Sequence, residues 1–232
     1  MAFNNYGNSF QRTTPVVLNL IIINVLVYFA QMAFGGSSEP NQVYDLFALH
    51  HYKADVFKPY QIVTHMFMHG GFFHLLFNMF ALWMFGANVE RVWGPKRFLI
   101  FYLICGLGSA FAQMGSYVFD FWNIDQLQLT AEEMAQYQDI LRRSATVGAS
   151  GAIMGVLAAF GYLFPNTQLI IFPIPIPIKA KWAIMGIIAL DVFGGISKVP
   201  GDNIAHFAHI GGALIGLLIV WLWNRNNRKT FY

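Results

Sequence analysis

Apolar residues are concentrated in six runs of the sequence, and charged residues lie almost entirely between these runs. A helix of about 20 apolar residues crosses a hydrocarbon core of about 30 Å, and three of the runs reach that length. The shorter runs are interpreted as spans because they alternate with the longer ones. We therefore predict an all-α membrane protein, a polytopic bundle of six transmembrane helices. The six runs are Pro15–Phe34, Phe72–Asn88, Phe98–Val118, Gly151–Phe164, Trp182–Ile196 and Ile204–Trp223.

The distribution of basic residues predicts the orientation of the six spans. An even number of spans places both termini on one side, together with Arg12, Arg91, Lys96, Arg97, Lys179, Lys181, Arg225, Arg228 and Lys229. The opposite side holds only Lys53, Lys58, Arg142, Arg143 and Lys198. Because cytoplasmic loops carry the excess of Lys and Arg, we predict cytoplasmic termini. The predicted parts are a cytoplasmic N-terminus (1–14), a membrane domain (15–223) and a basic cytoplasmic tail (224–232).

The segments between the spans have their own patterns. Residues 35–71 form a long outer loop rich in aromatic residues, which favour the membrane interface. In the outer segment 119–147, Thr130-Ala-Glu-Glu is typical of a helix start. The run that begins at Pro173 alternates proline with isoleucine, so it is predicted to be an extended inner connector. We find no internal repeat and no separable second domain.

Composition supports a membrane protein and excludes several other classes. Hydrophobic residues make up 56% of the chain, charged residues 11%, and the mean hydropathy is +0.50. Soluble domains contain about 25% charged residues. No basic stretch is suited to nucleic acid. Cys105 is the single cysteine and forms no intrachain disulfide. The first residues lack the features of a secretory signal, so the first run is predicted to be retained. Nothing resembles an organelle transit peptide, so a bacterial plasma membrane is predicted by default.

Three polar side chains are predicted to lie at one depth. The fourth run spans about 21 Å, about 9 Å less than the core, so Ser150 at its start is recessed below the outer surface. His209 lies about 8 Å into the sixth run, and Asn78 about 9 Å into the second. Polar residues inside spans are costly and indicate function by default.

Small residues predict which helices approach each other closely. Gly151 and Gly155 form one Gly-x-x-x-Gly pattern, and Gly212 and Gly216 form another. Such patterns allow two helix backbones to pack in contact. His209 lies on the same helix face as Gly212 and Gly216, so it faces the helix that these glycines contact. If that helix is the fourth, His209 reaches Ser150.

A serine and a histidine in contact can perform nucleophilic catalysis. A hydroxyl is a weak nucleophile until a base takes its proton, and a neutral imidazole does so near pH 7. At the start of a helix, the backbone N–H groups around Ser150 favour a developing oxyanion. The amide of Asn78 could add a donor, and His74, one turn away on the same face, could add another.

Each of these features also has a structural interpretation. Serine is a common N-cap, Gly-x-x-x-Gly is usually a packing motif, and an intramembrane histidine can form a hydrogen bond between helices. It is the combination at one depth that favours chemistry.

The remaining polar residues are weaker candidates for a function. His65 and His69 have the spacing of metal ligands on a helix, but no acidic residue lies near them to complete a site. His206 could orient the base, although a structural role is favoured. Asp191, the one acidic residue within a span, is given no role. His50 and His51 are interpreted as surface residues.

The motifs resemble those of the rhomboid family of intramembrane serine proteases, over roughly residues 15–223. The matching strings are His74-Leu-Leu-Phe-Asn78, Gly148-Ala-Ser150-Gly151 and Ala208-His209-Ile-Gly-Gly212-Ala-Leu-Ile-Gly216. The spacing of His65, His69 and His74 and the segment Gly86 to Arg91 are also similar to the family.

The resemblance implies a Ser–His dyad with no acidic third member. Ser150 would attack a peptide carbonyl, His209 would transfer the proton, and the Ser150 N–H, Asn78 and His74 would hold the oxyanion. Substrates would be transmembrane helices cleaved near their outer ends, and the fifth span and the loop after it would form the entry route.

Two positions depart from the family pattern. Pro59-Tyr60-Gln61 stands where members often have Pro-Trp-Arg, which concerns anchoring of the first loop to lipid. Met154 stands where many have an aromatic residue stacked on the histidine, so His209 would be held less firmly.

Other functions compete with this one. The main alternative is an inactive rhomboid-like factor that binds client transmembrane helices. A small transporter would show inverted repeats or paired broken helices, which we do not find. A metalloprotease would be abolished by chelators. The expected partners are transmembrane substrates and the lipid bilayer, with no nucleic acid, cofactor or metal, and no oligomeric state is predicted.

Overall fold

The structure is a computed structural model that describes residues 14–35, 41–125, 127–171, 174–197 and 204–225. The predicted N-terminal segment and most of the predicted basic tail lie outside these residues. The helices are α1 (Pro15–Gly35), α2 (Gln42–Phe47), α3 (Gln61–Thr64), α4 (Phe72–Ala81), α5 (Ala87–Trp93), α6 (Pro95–Asp125), α7 (Ala131–Arg143), α8 (Ser150–Leu163), α9 (Ala180–Ser197) and α10 (His206–Asn224). The strands are β1 (Gln168–Ile171) and β2 (Ile174–Lys179).

The all-α membrane architecture predicted from the apolar runs is confirmed. Among the described residues, five helical segments are long and apolar enough to cross a membrane, and the shorter apolar α8 is the sixth. One of the five is the segment Phe72–Trp93, in which α4 and α5 are joined by a π turn at Leu82–Gly86. This segment extends beyond the Asn88 boundary of the second apolar run.

The short helix α8 is the centre of the bundle. Of its 14 residues, 11 are buried, although its sequence is apolar on every side. A helix that is hydrophobic all round is expected in the interior. It packs most extensively against α10, which also packs along α6, whereas α9 makes fewer contacts with α8 and α10. The central helix therefore places its first residue, Ser150, inside the ring of longer helices.

The outer surface of the bundle is apolar. Phe73 and Phe77 on α4 are 69% and 66% exposed, and Phe111 on α6 is 61% exposed. Aromatic residues in such numbers on an aqueous surface would cause association. In a bilayer the same residues face acyl chains, so this surface is the lipid-facing surface of a multi-pass membrane protein.

The loop between α1 and α4 is held together by buried polar side chains. The Gln61 side-chain amide donates to the carbonyl oxygens of Asp45 at 2.8 Å and Val56 at 3.0 Å. The interpretation of His50 and His51 as surface residues was wrong, because both are fully buried. His50 Nε2 contacts the Tyr44 carbonyl, whereas His51 stacks on Tyr52 and meets the Phe121 ring edge-on. The local sequence does not reveal this burial, because Phe121 is distant along the chain.

Two connecting segments match the sequence patterns. Thr130 caps α7 in a capping box with Glu133, as the Thr-Ala-Glu-Glu string predicts. The described part of the proline-rich connector is extended, and it forms an antiparallel hairpin in which β2 pairs with β1. The hairpin was not predicted, because a pairing partner cannot be deduced from the proline pattern alone.

Candidate active site

The segment that leads into α8 is held by backbone hydrogen bonds to the loop between α1 and α4. Leu49 and Thr146 exchange two bonds of 2.9 Å, and the Gly148 N–H donates to the His65 carbonyl at 2.9 Å. Gly148 has φ of +129°, a conformation that L side chains rarely adopt. A Cβ at Gly148 would also lie 2.8 Å from the His74 ring. Glycine is therefore required here for two independent reasons, and it brings His74 close to the start of α8.

Ser150 and His209 are in hydrogen-bond contact. Ser150 is the first residue of α8, and His209 lies in the first turn of α10, nearer the helix start than the sequence boundary implied. The distance from Ser150 Oγ to His209 Nε2 is 2.8 Å. Ala149, not Ser150, occupies the N-cap position, so the serine hydroxyl contacts the imidazole and does not cap the helix. Both side chains are partly exposed, which leaves the pair accessible.

The two glycine patterns lie where α8 and α10 cross. A Cβ at Gly212 would overlap the Gly151 carbonyl oxygen, and one at Gly216 would lie 2.6 Å from the Gly155 Cα. A Cβ at Gly155 would in turn lie 2.9 Å from the Gly212 carbonyl oxygen. The backbones of the two helices are thus in direct contact close to Ser150 and His209.

An acidic residue that the sequence interpretation left without a role lies behind the histidine. His209 Nδ1 is 2.9 Å from Asp191 Oδ1 on α9, and His206 Nδ1 is 2.8 Å from the same oxygen. Asp191 is only 7% exposed. Asp191, to which the sequence interpretation gave no role, is therefore a buried acid in contact with the histidine of the pair. An acidic residue within a span indicates function by default, and that signal was present in the sequence.

Two further donors lie on α4. The Gly70 N–H donates to His74 Nδ1 at 3.3 Å, so that in a neutral ring the proton is on Nε2. Of the two ring nitrogens of His74, Nε2 is the one that lies next to Gly148. Asn78 is buried, and its Nδ2 has no hydrogen-bond partner among the described residues. A buried amide without a partner is costly, so it indicates a site for an acceptor that arrives with a ligand.

The histidines of the first loop are not arranged as metal ligands. His65 lies in a 3₁₀ turn (His65–Phe67) and His69 follows it, so the two do not share a helix face. His65 Nδ1 is 2.9 Å from the Gln61 carbonyl. Burial lowers the pKa of His65 to about 4 and, together with His74, that of His69 to about 3. Among the described residues, no cluster of three His, Cys, Asp or Glu is placed to hold a metal ion.

Fold and site together define a polytopic helical membrane protein with a serine–histidine pair at the start of its central helix. Comparison with known families gives a match to the rhomboid domain over residues 56–226. The chain belongs to the rhomboid family.

Individual relatives cover different parts of this chain. It is 30% identical to Rhomboid protease AarA of Providencia stuartii over 214 residues, which is 88% of this chain and 70% of the relative. It is 32% identical to Rhomboid protein 1, mitochondrial, of Saccharomyces cerevisiae over 69% of this chain and 40% of the relative. It is 34% identical to the human Presenilin-associated rhomboid-like protein, mitochondrial, over 66% of this chain and 35% of the relative. The match therefore spans less than half of these two mitochondrial relatives.

Proposed function

We propose that the protein is an intramembrane serine endopeptidase that hydrolyses peptide bonds in or near the transmembrane helices of membrane protein substrates. The observation that carries this proposal is the 2.8 Å contact between Ser150 Oγ and His209 Nε2, made by side chains on two different helices. The distribution of Lys and Arg supports the proposal that both termini are in the cytoplasm, and a bacterial plasma membrane is the location that we propose by default. One relative at 30% identity is named a rhomboid protease.

Acylation follows from the geometry of the pair. Ser150 Oγ attacks the scissile carbonyl carbon while its proton passes to His209 Nε2. The tetrahedral intermediate collapses as the imidazolium gives this proton to the leaving amine. The C–N bond breaks, and an ester between Ser150 and the N-terminal part of the substrate remains.

Deacylation uses the same histidine. A water molecule gives one proton to His209 Nε2 and attacks the ester carbonyl. Ser150 Oγ then leaves and recovers the proton, which restores the enzyme and releases a carboxylic acid. Water reaches the pair from the end of α8 at which both side chains are partly exposed. No metal or cofactor takes part in this sequence of steps.

Three donors are proposed to stabilise the oxyanion: the Ser150 N–H, Asn78 Nδ2 and His74 Nε2. The proposal is supported by the unpartnered buried amide of Asn78 and by the Gly70 N–H bond that leaves His74 Nε2 as the protonated nitrogen. The free N–H groups at the start of α8 add the positive end of the helix dipole. The glycines at 151, 155, 212 and 216 are proposed to hold α8 and α10 at the separation that this chemistry requires.

The first test measures cleavage of a single-span substrate by the purified protein in detergent and in lipid vesicles. Wild type, Ser150→Ala, His209→Ala and wild type with a chelator run in parallel. Cleavage that survives the chelator and disappears in both variants supports the Ser–His protease. Absence of cleavage by wild type on several substrates in both environments contradicts it and favours a factor that binds client helices without cutting them.

A further inference from the structure

The carboxylate of Asp191 is shared by two histidines of the neighbouring helix. Its Oδ1 is 2.8 Å from His206 Nδ1 and 2.9 Å from His209 Nδ1. The two histidines are three residues apart in the first turn of α10, so they lie on one face of that helix. Asp191 is in the C-terminal half of α9, which lies beside the start of α10. One oxygen atom therefore joins α9 to both histidines.

The second histidine fits closely against α9. A Cβ at Gly194 would collide with the His206 ring, and one at Gly195 would be in van der Waals contact with the His206 side chain. The ring of His206 thus occupies a space that only glycine at position 194 leaves open. This packing fixes the position of His206 Nδ1, which donates to Asp191 Oδ1. It therefore also helps to fix the oxygen atom to which His209 Nδ1 is hydrogen-bonded.

We propose that Asp191 is the positioning residue of the catalytic base, so that Ser150, His209 and Asp191 act as a linear array with His206 as a second support of the carboxylate. The proposal rests on the proposed protease function. Asp191 Oδ1 accepts the His209 Nδ1–H, which leaves Nε2 unprotonated and directed at Ser150 Oγ at 2.8 Å. The proton that leaves Ser150 then arrives at Nε2, and the resulting imidazolium stays hydrogen-bonded through Nδ1–H to the Asp191 carboxylate.

The charges around the array agree with this assignment. The titratable groups that face His209 are Asp191 from α9, His206 from its own helix and His74 from α4. Of these, Asp191 alone is an anion when ionised. A positive charge formed on His209 during acylation therefore has one charge partner among the described residues, at hydrogen-bond distance. The carboxylate keeps its charge throughout, and no proton moves to it.

The test uses Asp191→Asn, which has nearly the same size but no negative charge, and Asp191→Glu, which restores the charge on a longer side chain. Glu90→Gln is the matched control, because Glu90 is also a buried carboxylate that receives hydrogen bonds, but from the N–H groups of Val16 and Val17. We expect Asp191→Asn to lower kcat by between about 10-fold and about 10⁴-fold, the upper value being that of a soluble Ser–His–Asp protease. KM should change by less than about threefold, since the substrate does not bind Asp191. Asp191→Glu should recover part of the loss, and Glu90→Gln should retain the wild-type kcat.

A second readout does not depend on activity. Nitrogen-15 NMR of histidine-labelled protein at a pH where His209 is neutral distinguishes a protonated Nδ1 from a protonated Nε2, and comparison with His209→Ala assigns the signal. We expect the Nδ1–H form in wild type, and a shift toward Nε2–H in Asp191→Asn. His206→Ala should keep the Nδ1–H form and lose less kcat than Asp191→Asn, because the carboxylate is still present.

The outcomes separate the two proposals. A wild-type His209 that carries its proton on Nε2 overturns the role of Asp191, even if every variant fails to fold. The role is also overturned if Asp191→Asn is folded and keeps kcat within about twofold of wild type, or leaves the tautomer unchanged. A wild type that shows the Nδ1–H form but cleaves nothing contradicts the protease function and leaves the positioning of His209 by Asp191 supported.

Discussion

Substitution of Gly216 by alanine tests whether the backbone contact between α8 and α10 sets the active-site geometry. The added Cβ would lie 2.6 Å from the Gly155 Cα and 2.7 Å from the Gly155 carbonyl oxygen. Carbon atoms in contact are normally about 3.5–4.0 Å apart, so the helices must separate by about 1 Å. Both partner atoms are backbone atoms, and neither can rotate away.

The free-energy cost of this separation can be measured by comparison with a matched glycine-to-alanine variant. Overpacking of this kind destabilises by about 1–3 kcal/mol, while alanine in place of a helical glycine stabilises by about 1 kcal/mol. A Cβ added at Gly186 on α9 would meet no atom of the described residues within 4 Å, so Gly186→Ala reports the helix-propensity term alone. We expect the unfolding free energy of Gly216→Ala to be about 1–3 kcal/mol below that of Gly186→Ala.

The assay is unfolding by SDS in dodecyl maltoside micelles, followed by circular dichroism, together with substrate cleavage. A displacement of about 1 Å between reacting groups can lower the rate by about 10²-fold. The cleavage rate should therefore fall by much more than a smaller folded fraction would explain. Gly212→Ala should be more severe, because its Cβ would overlap the Gly151 carbonyl oxygen next to the nucleophile. If Gly216→Ala and Gly186→Ala have the same stability within about 0.5 kcal/mol and the same activity, the contact does not set the geometry.

Three further outcomes are expected. Gln61→Leu leaves buried carbonyl groups without their donor and should lower the unfolding free energy by about 1–3 kcal/mol. The control, Gln136→Leu on the exposed face of α7, should be nearly neutral. Equal effects of the two substitutions would contradict the role of the buried amide. The lowered pKa values of His65 and His69, about 4 and about 3, mean that the unfolded chain binds protons first as the pH falls below 6.5. The stability that these two rings contribute should therefore be constant above that pH and decrease below it, by up to about 1.4 kcal/mol per pH unit for each histidine. A flat profile from pH 7 to 4.5 would show that these rings are not buried as neutral groups. Asn78→Ala should lower kcat by about 10²–10³-fold with the fold intact, and an unchanged kcat would remove Asn78 from the oxyanion site.

The parts of the fold that could be predicted are those that depend on near neighbours in sequence. The apolar runs predicted the membrane helices because a span needs only length and hydrophobicity. The start of α7 was predicted from Thr130 and Glu133, which contact each other within one turn. The pairing of Ser150 with His209 was inferred from glycine spacing, which indicates a helix face and so carries information across a helix contact.

The parts that were missed depend on contacts distant in sequence. Asp191 was given no role because its position in the fifth run does not indicate its contacts with the two histidines on the next helix. His50 and His51 follow the aromatic residues of a loop, and their burial depends on how that loop folds over α6 and α7. Hydrophobic periodicity does not report such contacts, because a polar residue satisfied by a distant partner looks the same in sequence as an exposed one.

The backbone pairing between the α1–α4 loop and the segment ahead of α8 has a consequence for how the protein loses its structure on heating. The amide protons of Leu49, Thr146 and Gly148 belong to one hydrogen-bonded unit, so they should exchange with solvent in a single opening event. That unit contains the approach to Ser150 but none of the long helices. Local opening would then release Ser150 from its place while the helical bundle stays intact. Inactivation at a temperature below the loss of helical signal would follow directly from this arrangement.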